Sequence, residues 1–318
     1  MVQRVMLCPG QGAQSVGMGR NWYDGSDEAR AVFDRADEVV GDRLGRPLTE
    51  LCFEGPAETL NRTDAAQPAL YVAGVASYRG LLAEWGAGSS RAGAGGEAGV
   101  VAAAGLSLGE YTAMHVAGAI SFEDGLEMVL LRGRAMQDAA QATPSGMVAL
   151  IGADEQQADA VVEQARGDDV LVAANFNAPG QIVLSGSMAA VDRADGVAGE
   201  LGLRATKLAV AGAFHSPLMQ PAADAVKTRL DEMPLTPTEC RVYANLTGGA
   251  HDADADGVRS RLVGQLTGAV RWAECVRSVV KDFPDAELHE LAPGKTLAGL
   301  ARRIDRSLKV QPHDAPAA

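Results

Sequence analysis

Residues 100–117 constrain this chain more than any others. Val100 to Ala104 is a short apolar run of the kind that fills a buried strand, Gly105-Leu106-Ser107-Leu108-Gly109 is a sharp turn, and a helical pattern follows to about Ala117. A G-x-S-x-G set between strand and helix is the pattern of a nucleophile elbow, in which glycines make room for a strained turn that lifts the serine oxygen at the sheet's carboxyl edge. The helix N-terminus and the following backbone N–H then favour negative charge developing there. The pentapeptide is short enough to arise by chance, so its context carries the weight, and an ordinary helix N-cap is the competing role for Ser107.

The rest of the chain fits an α/β protein. Val2 to Cys8 reads as a strand stopped by Pro9-Gly10, and helical periodicity runs over about 26–40 and 67–85. Ser121 with Asp124 three residues on resembles a capping box that opens a helix of roughly 18 residues. Between 142 and 209 the rhythm becomes β-α-β-β-α-β: strands at 147–151, 170–175, 181–185 and 204–209, helices at 154–164 and 188–201. That is the order of a small ferredoxin-like unit. More helix and strand material follows, including Val242 to Leu246 and a helix near 296–304, so residues 142–209 are expected as an insertion in a larger domain formed by 1–141 and 210–318. At 318 residues, two such units are the natural division. The small-residue stretch Gly86 to Gly96 predicts a flexible surface loop, and the tail from Gln311 to Ala318 a frayed end.

Composition removes several classes of function. Hydrophobic residues at 47% and charged residues at 22% describe a globular chain. Its net charge of −13 argues against blanketing nucleic acid or an anionic membrane with positive charge, so an anionic ligand must meet a local cluster of cations. No apolar run reaches 18 residues and the first ten are too soon broken for a secretory segment, which predicts a cytoplasmic protein. Cys8, Cys52, Cys240 and Cys275 are scattered with no C-x-x-C pair, so neither a zinc site nor a disulfide framework is expected.

A serine nucleophile needs a base, and there are five histidines. His313 lies in the tail, His251 in an Asp-rich turn, His115 at helical spacing, and His289 beside Glu290 without the second His of a zinc protease. His215 stands apart, in Ala213-Phe214-His215-Ser216-Pro217, just before a Pro-started helix; a satisfied loop histidine is the alternative. Gly10-Gln11-Gly12-Ala13-Gln14-Ser15 lacks the third glycine of a dinucleotide fingerprint, and Gly294-Lys295-Thr296 lacks the upstream glycine of a P-loop. Neither a Rossmann cofactor nor ATP is expected.

Six stretches then occur in a telling order: Gly10 to Gln14, Gly105 to Tyr111, Leu131 to Gln137, Asn177 to Gln181, Gly212 to Met219, and Gln265 with Val270-Arg271-Trp272. Together, from about residue 3 to 306, they resemble the malonyl-CoA:acyl carrier protein transacylases of fatty-acid synthesis. One departure is Leu106, where many members carry His. The resemblance implies an α/β-hydrolase-like core with a ferredoxin-like subdomain, no need of a metal or other cofactor, and malonyl-CoA and an acyl carrier protein as partners of a monomeric enzyme.

It also implies roles. Ser107 would be the nucleophile and His215 its base, with the backbone N–H groups of Gln11 and Leu108 as oxyanion hole and the main-chain carbonyl of Gln265 orienting the imidazole. Arg132 would hold the malonyl carboxylate, although on its own a guanidinium in that helix reads as a snorkelling surface residue. Gln67 would line the site, Asn245 would support His215, and Phe214 would fill the space that the α-methyl of a methylmalonyl donor needs. An acidic carrier would need a cationic patch, with Arg271, Arg277 and Lys281 on one helix and Arg302, Arg303 and Arg306 near the end as candidates. Three alternatives remain: an acyltransferase serving a polyketide synthase, a serine esterase or thioesterase, and a silent carrier-binding subunit.

Overall fold

The computed structural model describes residues 2–86, 98–252 and 254–317. The loop expected at Gly86 to Gly96 lies, beyond Gly86, outside the described residues. Two sheets organise the rest. The larger has the strand order β7-β2-β1-β8-β9 and is parallel throughout, with β1 at Arg4–Cys8, β2 at Val100–Gly105, β7 at Arg241–Tyr243, β8 at Glu287–Leu291 and β9 at Val310–His313. A parallel sheet covered on both faces needs continuous apolar strands, and β1 shows it: Val5 and Leu7 enter one core, Met6 and Cys8 the other. The helices Thr63–Glu84 and Phe122–Ala142 pack against each other over the second core.

The smaller sheet is antiparallel, in the order β4-β5-β3-β6, from β3 at Ser145–Ile151, β4 at Leu171–Ala178, β5 at Gln181–Ser187 and β6 at Arg204–Lys207. Helices Glu155–Arg166 and Met188–Glu200 cover one face, where Val148, Leu150, Leu184 and Val191 make a separate core. The alternate residues Met147, Ala149 and Val183 point the other way, into the core of the larger unit. The small sheet therefore presents an apolar face toward the larger one, and a cleft lies along that face.

Two expectations need correcting. The last strand of the small unit stops at Lys207 rather than Ala209, and Leu208, Ala209 and Val210 line the cleft instead. The tail is not frayed through 310–313: β9 pairs with β8 in the register Leu288↔Val310 to Leu291↔His313, and the Trp22 indole donates to the His313 carbonyl at 2.8 Å. An edge strand with only one neighbour and a Pro at its centre has almost no apolar pattern to betray it. Among the described residues, no helix is long and apolar enough to cross a membrane.

Candidate active site

Of the described residues other than glycine, only Ser107 (φ 52°) and His215 (φ 57°) have left-handed backbone. Each such conformation costs about 1–3 kcal/mol and persists only where its surroundings impose it. At Ser107 the imposition is steric: a Cβ on Gly105 would run into the Gly109 backbone, and one on Gly109 into the Cys8 carbonyl. The chain thus passes directly from β2 through Ser107 into the helix Gly109–Val116. Around His215 the Ser216 hydroxyl donates to the Ala213 carbonyl at 2.7 Å and accepts from the Leu218 N–H at 3.3 Å.

The two strained residues meet, with Ser107 Oγ 2.8 Å from His215 Nε2. On the far side of the ring, His215 Nδ1 lies 2.7 Å from the Gln265 carbonyl oxygen. A carbonyl can only accept, so Nδ1 carries the proton and Nε2 is left free to accept from the serine hydroxyl. Burial, and then the neighbouring positive charge of Arg132, push the His215 pKa down to about 4, which keeps the imidazole neutral. A neutral imidazole so placed can take the serine proton. The group behind it is a main-chain carbonyl where an esterase triad would place a carboxylate.

Arg132 is buried, not snorkelling, with 1% of its surface exposed. Gly133 explains how it gets there: a Cβ at that position would press on the Thr63 carbonyl, so its absence lets the helix Phe122–Ala142 approach the helix Thr63–Glu84 closely. The guanidinium donates through Nη1 to Gln67 Oε1 at 2.7 Å, and through Nη2 to Gln265 Oε1 at 2.9 Å and Ser107 Oγ at 3.1 Å. It also sits over the Tyr111 ring, 5.4 Å from the centroid. No carboxylate pairs with it among the described residues, so a cation stands buried beside the serine oxygen with no direct counter-charge.

Other expected residues fall differently. Gln11 joins Ser107, His215 and Phe214 around a cavity of about 360 Å³, whose apolar wall includes Met147 and Val183 of the small sheet. The backbone N–H groups of Gln11 and Leu108 have no backbone acceptor among the described residues. Asn245 does not reach His215. Its Oδ1 accepts from the Ser107 N–H at 2.6 Å and its Nδ2 donates to the Gly105 carbonyl at 2.7 Å, so it staples the elbow's backbone. Position alone brings it there, since it follows β7, the parallel neighbour of β2. In the expected cationic patch, Arg271 is already engaged by Glu274 at 2.7 Å and stacked on Phe176, whereas Arg277, Lys281, Arg302 and Arg306 are exposed.

Sequence reasoning missed a buried acid and its partner. Glu110, directly after the elbow, is wholly buried; its Oε2 accepts from the Asn245 N–H at 2.9 Å and from Gln265 Nε2 at 2.8 Å. Its Oε1 lies 2.7 Å from Nε2 of His251, a residue that reads as part of an Asp-rich turn but has only 3% of its side chain accessible. Glu110 stands inside one of the quoted motifs, yet nothing local to His251 marks it. Among the described residues, no group of three or more His, Cys, Asp or Glu side chains is placed to hold a metal ion.

Many known proteins are similar to this chain. The acyl transferase domain family matches residues 5–302. The malonyl CoA-acyl carrier protein transacylase of Bacillus subtilis is 36% identical over 313 residues, covering 97% of this chain and 92% of that protein. The crystal structure of a malonyl-CoA:acyl carrier protein transacylase from Xanthomonas oryzae superposes with a TM-score of 0.88 at 39% identity, covering 99% of this chain and 96% of the other. A malonyl-transacylase solved in complex with a type II polyketide acyl-carrier protein gives 0.89 at 33% identity, with 99% and 96% coverage. With matches that run the length of both partners, the chain belongs to the acyl transferase family that contains the malonyl-CoA:acyl carrier protein transacylases.

Proposed function

We propose that this acyltransferase moves the malonyl group from malonyl-CoA to the phosphopantetheine thiol of an acyl carrier protein, through an ester on Ser107. Ser107 gives its proton to His215 Nε2 as Oγ attacks the thioester carbonyl. The N–H groups of Gln11 and Leu108 hold the tetrahedral oxyanion, and its collapse breaks the C–S bond while His215 returns the proton to the departing CoA sulfur. The carrier's thiol then enters, loses its proton to His215 and attacks the ester, and Ser107 leaves as the alcohol. No redox change occurs, so the route asks for no cofactor.

One observation carries the choice of substrate: the buried Arg132, 3.1 Å from the serine oxygen and without a carboxylate partner among the described residues. An acyl chain bearing its own carboxylate supplies the missing charge through two charge-assisted hydrogen bonds. A neutral acyl group leaves the guanidinium unpaired, which disfavours an esterase for simple acids. The carbonyl behind His215 speaks against that class too.

The same reading assigns supporting roles to Gln67, Gln265, Asn245 and Phe214, and divides the chain into an α/β-hydrolase-like unit of residues 1–141 and 210–318 and a ferredoxin-like unit of 142–209. The antiparallel order β4-β5-β3-β6 with two helices on one face supports the second part. It has the protein acting in the cytoplasm as a monomer and supplying extender units for fatty-acid synthesis. Service to a polyketide synthase is the second reading, favoured by a 33% identical polyketide biosynthesis malonyl CoA-acyl carrier protein transacylase of Bacillus velezensis. The test is to incubate the protein with malonyl-CoA, measure intact mass for a malonyl adduct, and add holo-acyl carrier protein. Discharge onto a fatty-acid carrier supports the first reading and discharge onto a polyketide carrier alone the second. An adduct lost only to water identifies a hydrolase.

A further inference from the structure

Gln265 is the joint of the site. Its carbonyl holds His215, its Oε1 faces Arg132, and its Nε2 donates both to the Ser107 carbonyl at 3.0 Å and to Glu110 at 2.8 Å. A side-chain amide has one accepting and one donating end. Turned over, this one would put its NH2 against the guanidinium and its oxygen against a carboxylate, two repulsive contacts among buried groups. Its polarity therefore depends on Glu110 remaining an acceptor in place.

What keeps Glu110 in place is the Asn245 N–H and His251 Nε2. His251 is itself pinned, its N–H donating to the Val242 carbonyl at 2.8 Å, so the imidazole is presented from the strand β7 that also positions Asn245. The pair lies one amide away from Arg132. This spacing has a chemical use: a carboxylate in direct contact with Arg132 would compete with the substrate's own, whereas one behind Gln265 supplies negative charge to a buried cation and leaves its Nε and one N–H of Nη1 without a protein acceptor.

We propose that Glu110 and His251 form a buried positioning pair that sets the polarity of the Gln265 amide and thereby aims Arg132 at the free carboxylate of the acyl group. The pair touches no reacting atom. It acts on selectivity through Gln265, which makes its loss distinguishable from a general loss of packing. The inference rests on the malonyl-transfer reading given above.

The test compares malonyl-CoA and acetyl-CoA as donors, because acetyl lacks the carboxylate that Arg132 would hold. Glu110→Gln keeps the shape but removes the charge and one of the two acceptors, so His251 Nε2 or the Gln265 amide loses its acceptor and the hold on the Gln265 amide weakens. We expect kcat/KM for malonyl-CoA to fall by roughly 10- to 100-fold, the range typical of removing a partner that orients a ligand-binding group, while the value for acetyl-CoA changes little. His251→Leu should reproduce the malonyl-selective loss, and His251→Gln, which retains an N–H donor toward Glu110, should restore most of it. The histidine variants carry the test by themselves if Glu110→Gln does not fold. Equal losses for both donors, no loss for malonyl, or failure of His251→Gln to outperform His251→Leu would overturn the proposal. A wild-type protein that forms no malonyl adduct on Ser107 would instead defeat the underlying assignment, and that is seen before any variant is made.

Discussion

The small sheet and the cleft it faces are built by opposite rules. In the small unit local preference and structure agree at the helix starts and along β3: Asp154 and Gln157 close a complete capping box, Ser187 caps the next helix, and inward and outward residues alternate along β3. In the cleft the local preferences are violated together. Two residues with side chains adopt the backbone of glycine, and an arginine and a glutamate are buried within one hydrogen-bonded network. Such violations survive only where surrounding packing outweighs them, and they gather where chemistry needs fixed, desolvated groups. Substitutions should therefore separate cleanly, with chemistry failing on one side and stability on the other.

The largest effect is expected at the strained pair. Ser107→Ala should abolish the covalent adduct while leaving malonyl-CoA binding in place, measured by intact mass and calorimetry. His215→Ala should slow loading by about 100- to 10,000-fold, the usual loss for a general base. The base works only in its neutral form, and with its pKa pushed down to about 4 that form prevails at every higher pH. The loading rate should thus hold on acidification from neutrality and fall as pH drops through about 4, provided the fold endures. A rate that instead halves near the ordinary histidine pKa would show that the buried environment does not govern the base.

Next comes Arg132. Arg132→Ala should weaken the use of malonyl-CoA by about 2–5 kcal/mol in kcat/KM and that of acetyl-CoA far less, with Arg132→Lys only partly recovered because a single ammonium lacks the planar fork. Loss of both donors by one factor would make Arg132 a structural residue of the cleft. A smaller shift belongs to Phe214, which lines the cavity beside His215. One methyl in an apolar pocket is worth about 1–3 kcal/mol, so wild type should favour malonyl-CoA over methylmalonyl-CoA by roughly 10- to 200-fold, and Phe214→Ser should narrow the ratio. Equal specificity constants in the wild type would remove that role.

On the other side of the comparison, Asp154→Ala deletes the N-cap of Glu155–Arg166 and should lower stability by about 1 kcal/mol, read by thermal melting, with malonyl loading unchanged. A change in loading would show that the two regions are coupled more tightly than their separate cores suggest. The gentlest prediction concerns the exposed cations of Trp272–Asp282 and Thr296–Ile304. Reversing Arg277, Lys281 and Arg302 should raise the KM for carrier protein and lessen its salt dependence, and leave loading from malonyl-CoA intact. Arg271, held by Glu274, should contribute little to it.

Legibility in the sequence followed the distance over which each feature is encoded. The elbow at Ser107, the cap at Ser121, the strand at 147–151 and the helix Thr296–Ile304 depend on neighbours a few residues away, and all are readable as pattern. Gly133 beside Arg132 was readable as letters but not as meaning, because only the opposing helix turns a missing Cβ into a route for a guanidinium. The partner of Asn245, the burial of His251 and the pairing of β9 lay beyond reach. They join residues 138, 141 and 22 positions apart through single polar contacts or an edge ladder, which leave no periodic trace in composition. The sequence by itself determined the elements with a strong local pattern and which residues carry reactive groups, since both follow from local sterics and side-chain chemistry. Tertiary structure alone decided the order of strands, and through it that Glu110, Asn245, His251 and Gln265 close around one serine in an interior where an unpaired polar group is costly enough to choose its partner.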